Sequence, residues 1–393
     1  MRVAVVGAGL TGLTAAKELS EYASVKVFEA NELGGLLASF CPSYCVEKFY
    51  HHCFRGDREL LDLISELGLS SKLFWKTVKV GFGIDGRVYP LGTPMEILRY
   101  PYLSLGEKLR LALFTLRSRR LNFEDFDDVS AVDGIRRELG EGLLRKFFMP
   151  LLEAKFGENA NEVSYAWLLA RVAIRSNRKL GGEEIGYLRG GFKQLVERLA
   201  EGLDIEFRAV DIKKYGKWQV GGEEFDAVIY TGPPNFLNVD IRYQSSVCVL
   251  VGLEEPISNV YWINSIGTPF GAIIEHTNLA PPEDYGEHIA YLASYTTPDK
   301  LPSDEEVARS FLGALRRYGV EEKSIRWFRV FKARHSGPIY ERGYRRKILP
   351  YRVAEGLYVA GMFSKPNYPE RSMNGSVRAG REVAEVVKRD FGL

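Results

Sequence analysis

Three glycines, Gly7, Gly9 and Gly12, stand between a short apolar run and a helical repeat. The run is Arg2 to Val6 (RVAVV), the mark of a strand buried on both faces. Leu13, Ala16 and Leu19 follow at helical spacing, and Val25 to Phe28 reads as a second buried strand. In such a βαβ unit Gly7 permits the sharp turn, Gly9 lets backbone approach a pyrophosphate, and Gly12 allows close helix–strand packing. Ala8, Leu10 and Thr11 complete the turn, and their N–H groups lie where a helix N-terminus favours anions. Glu29 ends the second strand with Ala30 beside it. A carboxylate there accepts hydrogen bonds from ribose hydroxyls and repels a 2′-phosphate. The chemistry expected is dinucleotide binding; the plain alternative is a glycine turn with a surface glutamate.

Two further marks bear on which dinucleotide. Gly34-Gly35, followed by Leu36, comes soon after the ribose carboxylate and resembles the extended signature of FAD-binding proteins of the glutathione-reductase type. In that resemblance the loop returns along the pyrophosphate toward the flavin. Near the C-terminus, Gly356 to Gly361 and then Met362, Ser372, Met373, Asn374, Gly375 and Ser376 resemble the closing FAD motif of the same proteins. In those proteins the helix after that motif aims its N-terminus at the flavin O2 end, and the resemblance implies the same here. Reduced flavin carries negative charge near N1 and O2, which a helix dipole stabilises.

Over its whole length the chain resembles the flavin amine oxidase and protoporphyrinogen oxidase group, to which phytoene desaturases and UDP-galactopyranose mutases are related. Leu60 to Leu69, Arg87 to Leu91, Leu144 to Ser164 and Tyr187 to Phe192 look like counterparts of that group between the two termini. The resemblance implies FAD as cofactor, Val210 at the adenine, and Thr231-Gly232-Pro233 near the ribose and pyrophosphate. Two positions depart from it. Leu36 stands where Arg is usual, and Met362 where Asp is usual, so contacts there would rest more on backbone groups.

The residues that could take part in catalysis are scattered. His51 and His52 follow a segment that returns toward the isoalloxazine in relatives, and either could act as proton donor or electrostatic partner. The alternative is one buried structural histidine and one exposed. Glu275, His276, Thr277 and Asn278 end a strand of the substrate region, as convergent polar groups or as a solvated strand end. Arg334, His335 and Tyr340 precede the last cofactor segment, where relatives place pocket walls, and Tyr368 and Arg371 could close the same cavity. Hydride transfer to a flavin needs mainly placement in a dry site, so few side chains are obligatory.

The elements that must position these groups are interleaved along the chain. The fold expected is α/β: an interleaved two-domain FAD-binding fold of the glutathione-reductase type with a mixed α+β substrate domain. Cofactor-domain pieces are expected at residues 1–55, 186–244 and 339–393, and substrate-domain pieces at 56–185, mainly helical, and 245–338, mainly strand. Val78 to Val88 reads as a hairpin turning at Asp85-Gly86. Leu143 to Leu152 reads as a helix that Pro150 kinks.

Bulk properties limit the rest. With 393 residues and 46% hydrophobic content the chain can bury a large core. Its formal charge of +2 demands no nucleic-acid partner. The four cysteines, Cys41, Cys45, Cys53 and Cys248, show no metal pattern, so no metal is expected. Nothing calls for a disulfide, and so few cysteines fit a reducing compartment. A strand beginning at Arg2 leaves no room for a signal peptide, and no apolar run is long enough to span a membrane. The location expected is cytoplasmic. The stretch 99–120 carries six basic residues and one acid, with Leu109, Leu113 and Leu116 on one face. It reads as a helix with a solvated basic face, or as a peripheral contact with an anionic membrane.

Three functions fit. The first is an FAD-dependent oxidase or dehydrogenase taking hydride from a C–H or N–H bond of a largely apolar or ring-shaped small molecule, possible candidates including lipid-linked or isoprenoid-like ones. The second is a mutase-like isomerase of nucleotide sugars, needing Arg334, Tyr340, Tyr344, Arg345 and Arg346 for a diphosphate. The third is an FAD-binding protein without catalysis. Neither the substrate, the electron acceptor nor the oligomeric state is written in the sequence.

Overall fold

The computed structural model describes residues 1–175 and 182–393. Its internal contacts divide the chain into two compact units. One comprises Met1–Phe74, Leu188–Ile241 and Arg346–Leu393, the other Trp75–Tyr187 and Arg242–Arg345.

In the first unit, β1 (Arg2–Val6), α1 (Leu10–Leu19) and β2 (Ser24–Glu29) form the expected βαβ unit. β1 runs parallel to β2, with Val3 opposite Val25, and parallel to Ala227–Tyr230, with Val3 opposite Ala227. Asp204–Phe207 adds beyond β2, and Leu357–Val359 beyond Ala227–Tyr230, both in parallel. Arg352–Ala354 closes that edge antiparallel, making six strands. The central strands are apolar throughout because both sheet faces are covered. On one face Ala4, Phe28, Val228 and Leu357 pack against Trp218, Val220 and Phe225 of a three-stranded meander.

Helix α1 also packs closely on the C-terminal helix Met373–Phe391. A Cβ on Gly380 would lie 2.6 Å from the Thr11 carbonyl oxygen, so the helices meet at a position that admits no side chain. The contacts place α2 (Arg58–Glu66) in this unit too, beyond the boundary expected after residue 55. The sequence face of Leu60, Leu61, Ile64 and Leu67 is buried at Leu60 and Ile64 and half-buried at Leu61 and Leu67, while buried Leu63 was missed; which core receives the face was not legible. Arg381 of the C-terminal helix supplies the reason. Its guanidinium pairs with Glu59 at 3.0 Å and Glu66 at 2.5 Å on α2, and with Glu18 at 3.3 Å on α1.

Cys41 and Cys45 form a disulfide at the tip of the short pairing of Ser39–Phe40 with Val46–Glu47. That corrects the expectation of a chain with no call for disulfides. Cys53 and Cys248 are buried free thiols.

The second unit is built on a seven-stranded mixed sheet. Its order is Ile325–Pro338, Tyr243–Leu253, His288–Thr296, Ala272–Glu275, Trp262–Ile266, Val80–Ile84 and Arg87–Pro90. The last two strands turn at Asp85 (φ 49°) and Gly86 (φ 77°), the left-handed pair that a two-residue hairpin favours. A core of Val249, Val251, Ile263, Phe270, Ile273 and Leu292 packs on Val307, Phe311 and Leu315 of helix Asp304–Leu315. The helical part includes α3 (Pro94–Arg99) and α4 (Leu105–Ser118). Around Pro150 a wide π turn at Leu144–Phe148 leads into Met149–Phe156, which accommodates the missing N–H of the proline. The 14-residue strand Ile325–Pro338 was not foreseen; it lies at a sheet edge, where Arg326, Arg329, Lys332 and Arg334 interrupt the apolar pattern. No described helix is long and apolar enough to cross a membrane.

The Arg381 cluster yields a stability test. Arg381→Met keeps the aliphatic stem and leaves three carboxylates facing one another. Urea denaturation is expected to show a loss of about 2 kcal/mol, larger at low salt because the repulsion is then less screened. A loss that does not change with salt would show that the charge does not hold α2 in place.

Candidate cofactor site

The first turn is made of backbone contacts that leave one position open. A Cβ on Gly12 would lie 2.0 Å from the Gly7 carbonyl oxygen, and one on Gly7 would lie 2.3 Å from Thr231 Oγ1. Gly7 also has φ 107°, which disfavours any side chain. Gly9 differs. Its φ is −74°, and a Cβ there would meet no protein atom within 4 Å. Two of the three glycines are therefore required for the chain to close on itself, and the third faces free space at the start of α1.

The surrounding polar groups hold that turn rigid. Glu29 Oε2 accepts from the Ala8 N–H at 2.7 Å, and Oε1 from the Asn31 N–H at 2.8 Å. The Gly34 N–H donates to the Ala8 carbonyl at 2.9 Å, which draws the second glycine pair against the first turn. Gly35 lies close enough that its Cβ would stand 3.5 Å from Gly9 Cα. Thr231 Oγ1 donates to the Val6 carbonyl at 3.0 Å, while its own N–H bonds the same oxygen. Gly232 packs against the Tyr230 ring, with Pro233 next in the loop. Thr11 Oγ1 donates to the Ser376 carbonyl at 3.1 Å, so α1 and the closing motif are bonded directly.

The closing motif is organised by a residue the sequence reading did not single out. Asn367, fully buried, donates from Nδ2 to the Gly361 carbonyl at 3.1 Å and accepts at Oδ1 from the Ser372 N–H at 3.0 Å. Buried Ser364 accepts from the Gly361 N–H at 3.0 Å. Ser372 then caps the C-terminal helix, its hydroxyl accepting from the Gly375 N–H at 2.9 Å. Met373 begins that helix, and Asn374 Oδ1 accepts from the Leu60 N–H of α2 at 3.2 Å. Asn374 thus has a structural bond as well as its place in the motif. A polar residue inside an otherwise featureless loop was the only signal for Asn367, and it does not announce burial. Leu36 and Met362 are half-buried. Ala30 is exposed, Leu10 is buried at the start of α1, and Val210 lies half-buried beside the core under the meander.

The histidines fall into different surroundings. In the first unit, His51 is half-buried, and its Nδ1 lies 2.7 Å from the Phe49 carbonyl. Nδ1 therefore carries the proton and Nε2 is left as an acceptor. Burial, opposed by the Phe49 bond and reinforced by the Arg371 charge, lowers its pKa to about 4. His52 stands edge-on to Phe54 with ring centroids 5.1 Å apart.

In the second unit, the four polar residues read as convergent groups or as a solvated strand end are buried at Glu275, His276 and Thr277 and half-buried at Asn278. Glu275 is fully buried, and His276 and Thr277 nearly so. His276 Nε2 bonds the Tyr285 hydroxyl at 2.7 Å, and the rings of Tyr187 and Tyr291 stand edge-on to it. Burial lowers its pKa to about 3. Asn278 Nδ2 donates to the Ser258 carbonyl at 2.9 Å, and Thr277 Oγ1 accepts from the Ile289 N–H at 3.3 Å. These bonds bind the fold to itself. Glu275 Oε1 accepts from the Ile257 N–H, while Oε2 has no hydrogen-bond partner among the described residues. Burial raises its pKa to about 8. Tyr340 is buried edge-on to Tyr344, at 4.9 Å between centroids.

A mainly parallel sheet with a glycine turn, a carboxylate at the end of the second strand and a helix packed on the turn is the architecture of a dinucleotide-binding fold. Residues 10–388 match the family described as flavin containing amine oxidoreductase. The chain belongs to that family. Among curated proteins it is similar to a coproporphyrinogen III oxidase of Propionibacterium freudenreichii subsp. freudenreichii, 28% identical over 44% of this chain and 35% of that one. It is also similar to one of Staphylococcus aureus (strain NCTC 8325 / PS 47), 24% identical over 66% of this chain and 57% of that one. The chain thus matches less than two thirds of the length of either curated relative. Two solved structures share the fold. One is a protein of Exiguobacterium sp. 255-15 provisionally named protoporphyrinogen oxidase, with TM-score 0.78, 20% identity and 99% of both chains covered. The other is a reduced UDP-galactopyranose mutase, with TM-score 0.76, 17% identity, and 98% of this chain and 95% of that one covered.

The glycines separate binding from folding. Gly9→Ala is expected to keep the unfolding midpoint of the wild type and, if the opening at Gly9 takes the pyrophosphate, to weaken FAD binding roughly a hundredfold, since a methyl group would then occupy it. Gly12→Ala is expected to lower the midpoint itself, because the Cβ meets backbone. Flavin fluorescence titration beside thermal melts distinguishes them, and equal flavin affinity in Gly9→Ala and wild type would contradict the assignment.

Glu275 gives a test by pH. Folding raises its pKa from 4.5 to about 8, so between those values the folded state binds more protons than the unfolded. Stability then falls as pH rises through that window. Glu275→Gln is expected to remove a decline of a few kcal/mol, read by urea titration from about pH 5 to about pH 9. Parallel pH profiles for the two proteins would rule out a protonated carboxyl at this position.

Proposed function

We propose that the chain is an oxidase or dehydrogenase that takes hydride from a C–H or N–H bond of a largely apolar or ring-shaped small molecule, of the porphyrinogen or amine kind. The observation that carries the reading is the opening at Gly9, where a Cβ would meet nothing within 4 Å while its two companion glycines are closed against protein atoms. Such an opening fits a pyrophosphate at the N-terminus of α1.

In this reading Ala8, Leu10, Thr11 and Gly12 bring backbone N–H groups to the diphosphate, and Glu29 and Ala30 meet the ribose. Gly34, Gly35, Leu36, Thr231, Gly232 and Pro233 line the return path. Gly361, Met362, Ser372, Met373, Asn374 and Ser376 hold the redox end, and Val210 meets the adenine. When bound, FAD supplies the hydride acceptor. His51 is neutral at pH 7, and its free Nε2 acceptor can hold or take a proton from a substrate N–H or C–H. His52 shares that segment, and Tyr340 is assigned to the substrate-facing unit. His276 and Asn278 are assigned to shaping that unit, because their polar atoms already bond Tyr285 and Ser258.

The curated relatives named for coproporphyrinogen III oxidation support a ring-shaped substrate. A lipid-linked or isoprenoid-like molecule is the apolar alternative, and it would go with a cytoplasmic protein in contact with a membrane through residues 99–120. The mutase reading is weaker. It needs cationic groups for a diphosphate, yet Arg345 is already paired with Glu124 at 3.1 Å, and its backbone N–H donates to Asp127.

The test is anaerobic mixing of the FAD-loaded protein with porphyrinogens, polyenes, amines and UDP-sugars, followed by the flavin's visible absorption. Bleaching by a porphyrinogen or an amine, reversed by oxygen, is the expected result. Turnover of a UDP-sugar only after chemical reduction would select the mutase. A spectrum that no member of the panel changes would leave the oxidase reading without support.

A further inference from the structure

Helix α4 is inverted relative to an ordinary surface helix. Buried Glu107, Leu111, Phe114 and Ser118 recur every three or four residues and define its inward face. Half a turn away stand Leu105, Leu109, Leu113 and Leu116, with relative exposures of 74, 62, 57 and 60%. An amphipathic helix normally turns its polar side outward, so four leucines at the outermost positions of one helix need an explanation.

The ridge extends beyond α4. Lys108 Nζ donates to the Leu98 carbonyl at 2.7 Å, which ties the end of α3 to the first turn of α4. Met95 and Leu98 of α3 and Tyr102 of the connection are themselves exposed. Charge flanks the ridge on both sides. By helical position Lys108 lies on one side of the leucines and Arg110 and Arg117 on the other, while Arg119 and Arg120 follow at the C-terminal end. The segment's single acid does not offset them at the surface. Glu107 faces inward, accepts from the Ser104 N–H at 2.7 Å in a capping box, and pairs with Lys146.

We propose that α3 and α4 form a docking surface for an anionic lipid bilayer. The leucine ridge enters the acyl region, and the flanking cations lie at the phosphate level, Lys108 and Arg110 keeping their bonds to the Leu98 and Leu139 carbonyls and Arg117 standing 3.9 Å from Glu138. Charge decides between a membrane and a second copy of the chain. A two-fold dimer through this patch would bring each cationic flank against its own counterpart, with like charges opposed across the interface. An anionic bilayer meets both flanks with opposite charge. The surface lies wholly on the second unit and is independent of flavin binding, so failure of the cofactor reading would leave it standing.

The experiment is co-sedimentation of the full chain with vesicles of phosphatidylcholine containing about a third phosphatidylglycerol, beside vesicles of phosphatidylcholine alone. Wild type is expected to sediment with the anionic vesicles and to be released in part at high salt. Leu109→Ser with Leu113→Ser, at exposed positions that leave the inward face intact, is expected to lower the partition coefficient roughly tenfold or more. Arg110→Glu with Arg117→Glu is expected to remove the preference for anionic over neutral vesicles. Circular dichroism melts matching wild type exclude unfolding as the cause. Wild type remaining in the supernatant with anionic vesicles would overturn the proposal. So would equal partition of the leucine pair and wild type, or a concentration-dependent dimer that the leucine substitutions dissolve.

Discussion

The first unit depends on how closely α1 approaches the end of β1. With Gly7 and Gly12 both lacking Cβ, the helix starts directly after an interior strand of the sheet, and its first N–H groups have no partner within the helix. Everything that follows braces this turn. Glu29 holds Ala8 from one side, Thr231 fills the space beneath Gly7, and Gly34 bonds Ala8 from the second glycine pair. Because Thr231 and Ser376 come from distant parts of the chain, the turn is assembled only when the whole unit has folded. A site for a large anion made in this way owes its affinity to preorganised backbone, with little help from side-chain charge.

The parts of the fold that were legible are those where one physical demand acts alone. RVAVV followed by GxGxxG can satisfy both burial and backbone sterics in essentially one way, and β1, α1 and β2 lie where that demand places them. The hairpin at Asp85-Gly86 was equally plain, since a two-residue turn needs two left-handed residues. Helix α2 was legible as a helix but not in its allegiance. An apolar stripe states that something covers it, whereas the partner is set by Arg381, far away in sequence. The strand Ile325–Pro338 was hidden because an edge strand carries charge to discourage pairing with other chains, and charge erases the alternation by which strands are recognised.

Polar side chains in the second unit show where sequence reasoning stops. Glu-His-Thr-Asn is as consistent with a wet strand end as with a buried one, and the difference lies in Tyr187, Tyr285 and Tyr291, which come from three other segments to enclose His276. Once enclosed, each group must find a partner or change protonation. Asn278 and Thr277 found backbone. Glu275 found only one bond and holds its proton instead.

His51 and His276 make the same point for chemistry. Both are neutral at pH 7, and both are neutral because burial penalises the imidazolium. Their ring nitrogens nevertheless differ in use. In His276 the Tyr285 hydroxyl already occupies Nε2, and aromatic rings stand edge-on to the imidazole, which suits a wall. In His51 the Phe49 carbonyl fixes the proton on Nδ1 and so defines Nε2 as the acceptor, beside the charge of Arg371. A histidine can move a proton only when one nitrogen is oriented by the fold and the other is left to the substrate. Of the two, His51 is therefore the one proposed for proton transfer, and it lies on the unit that carries the glycine turn.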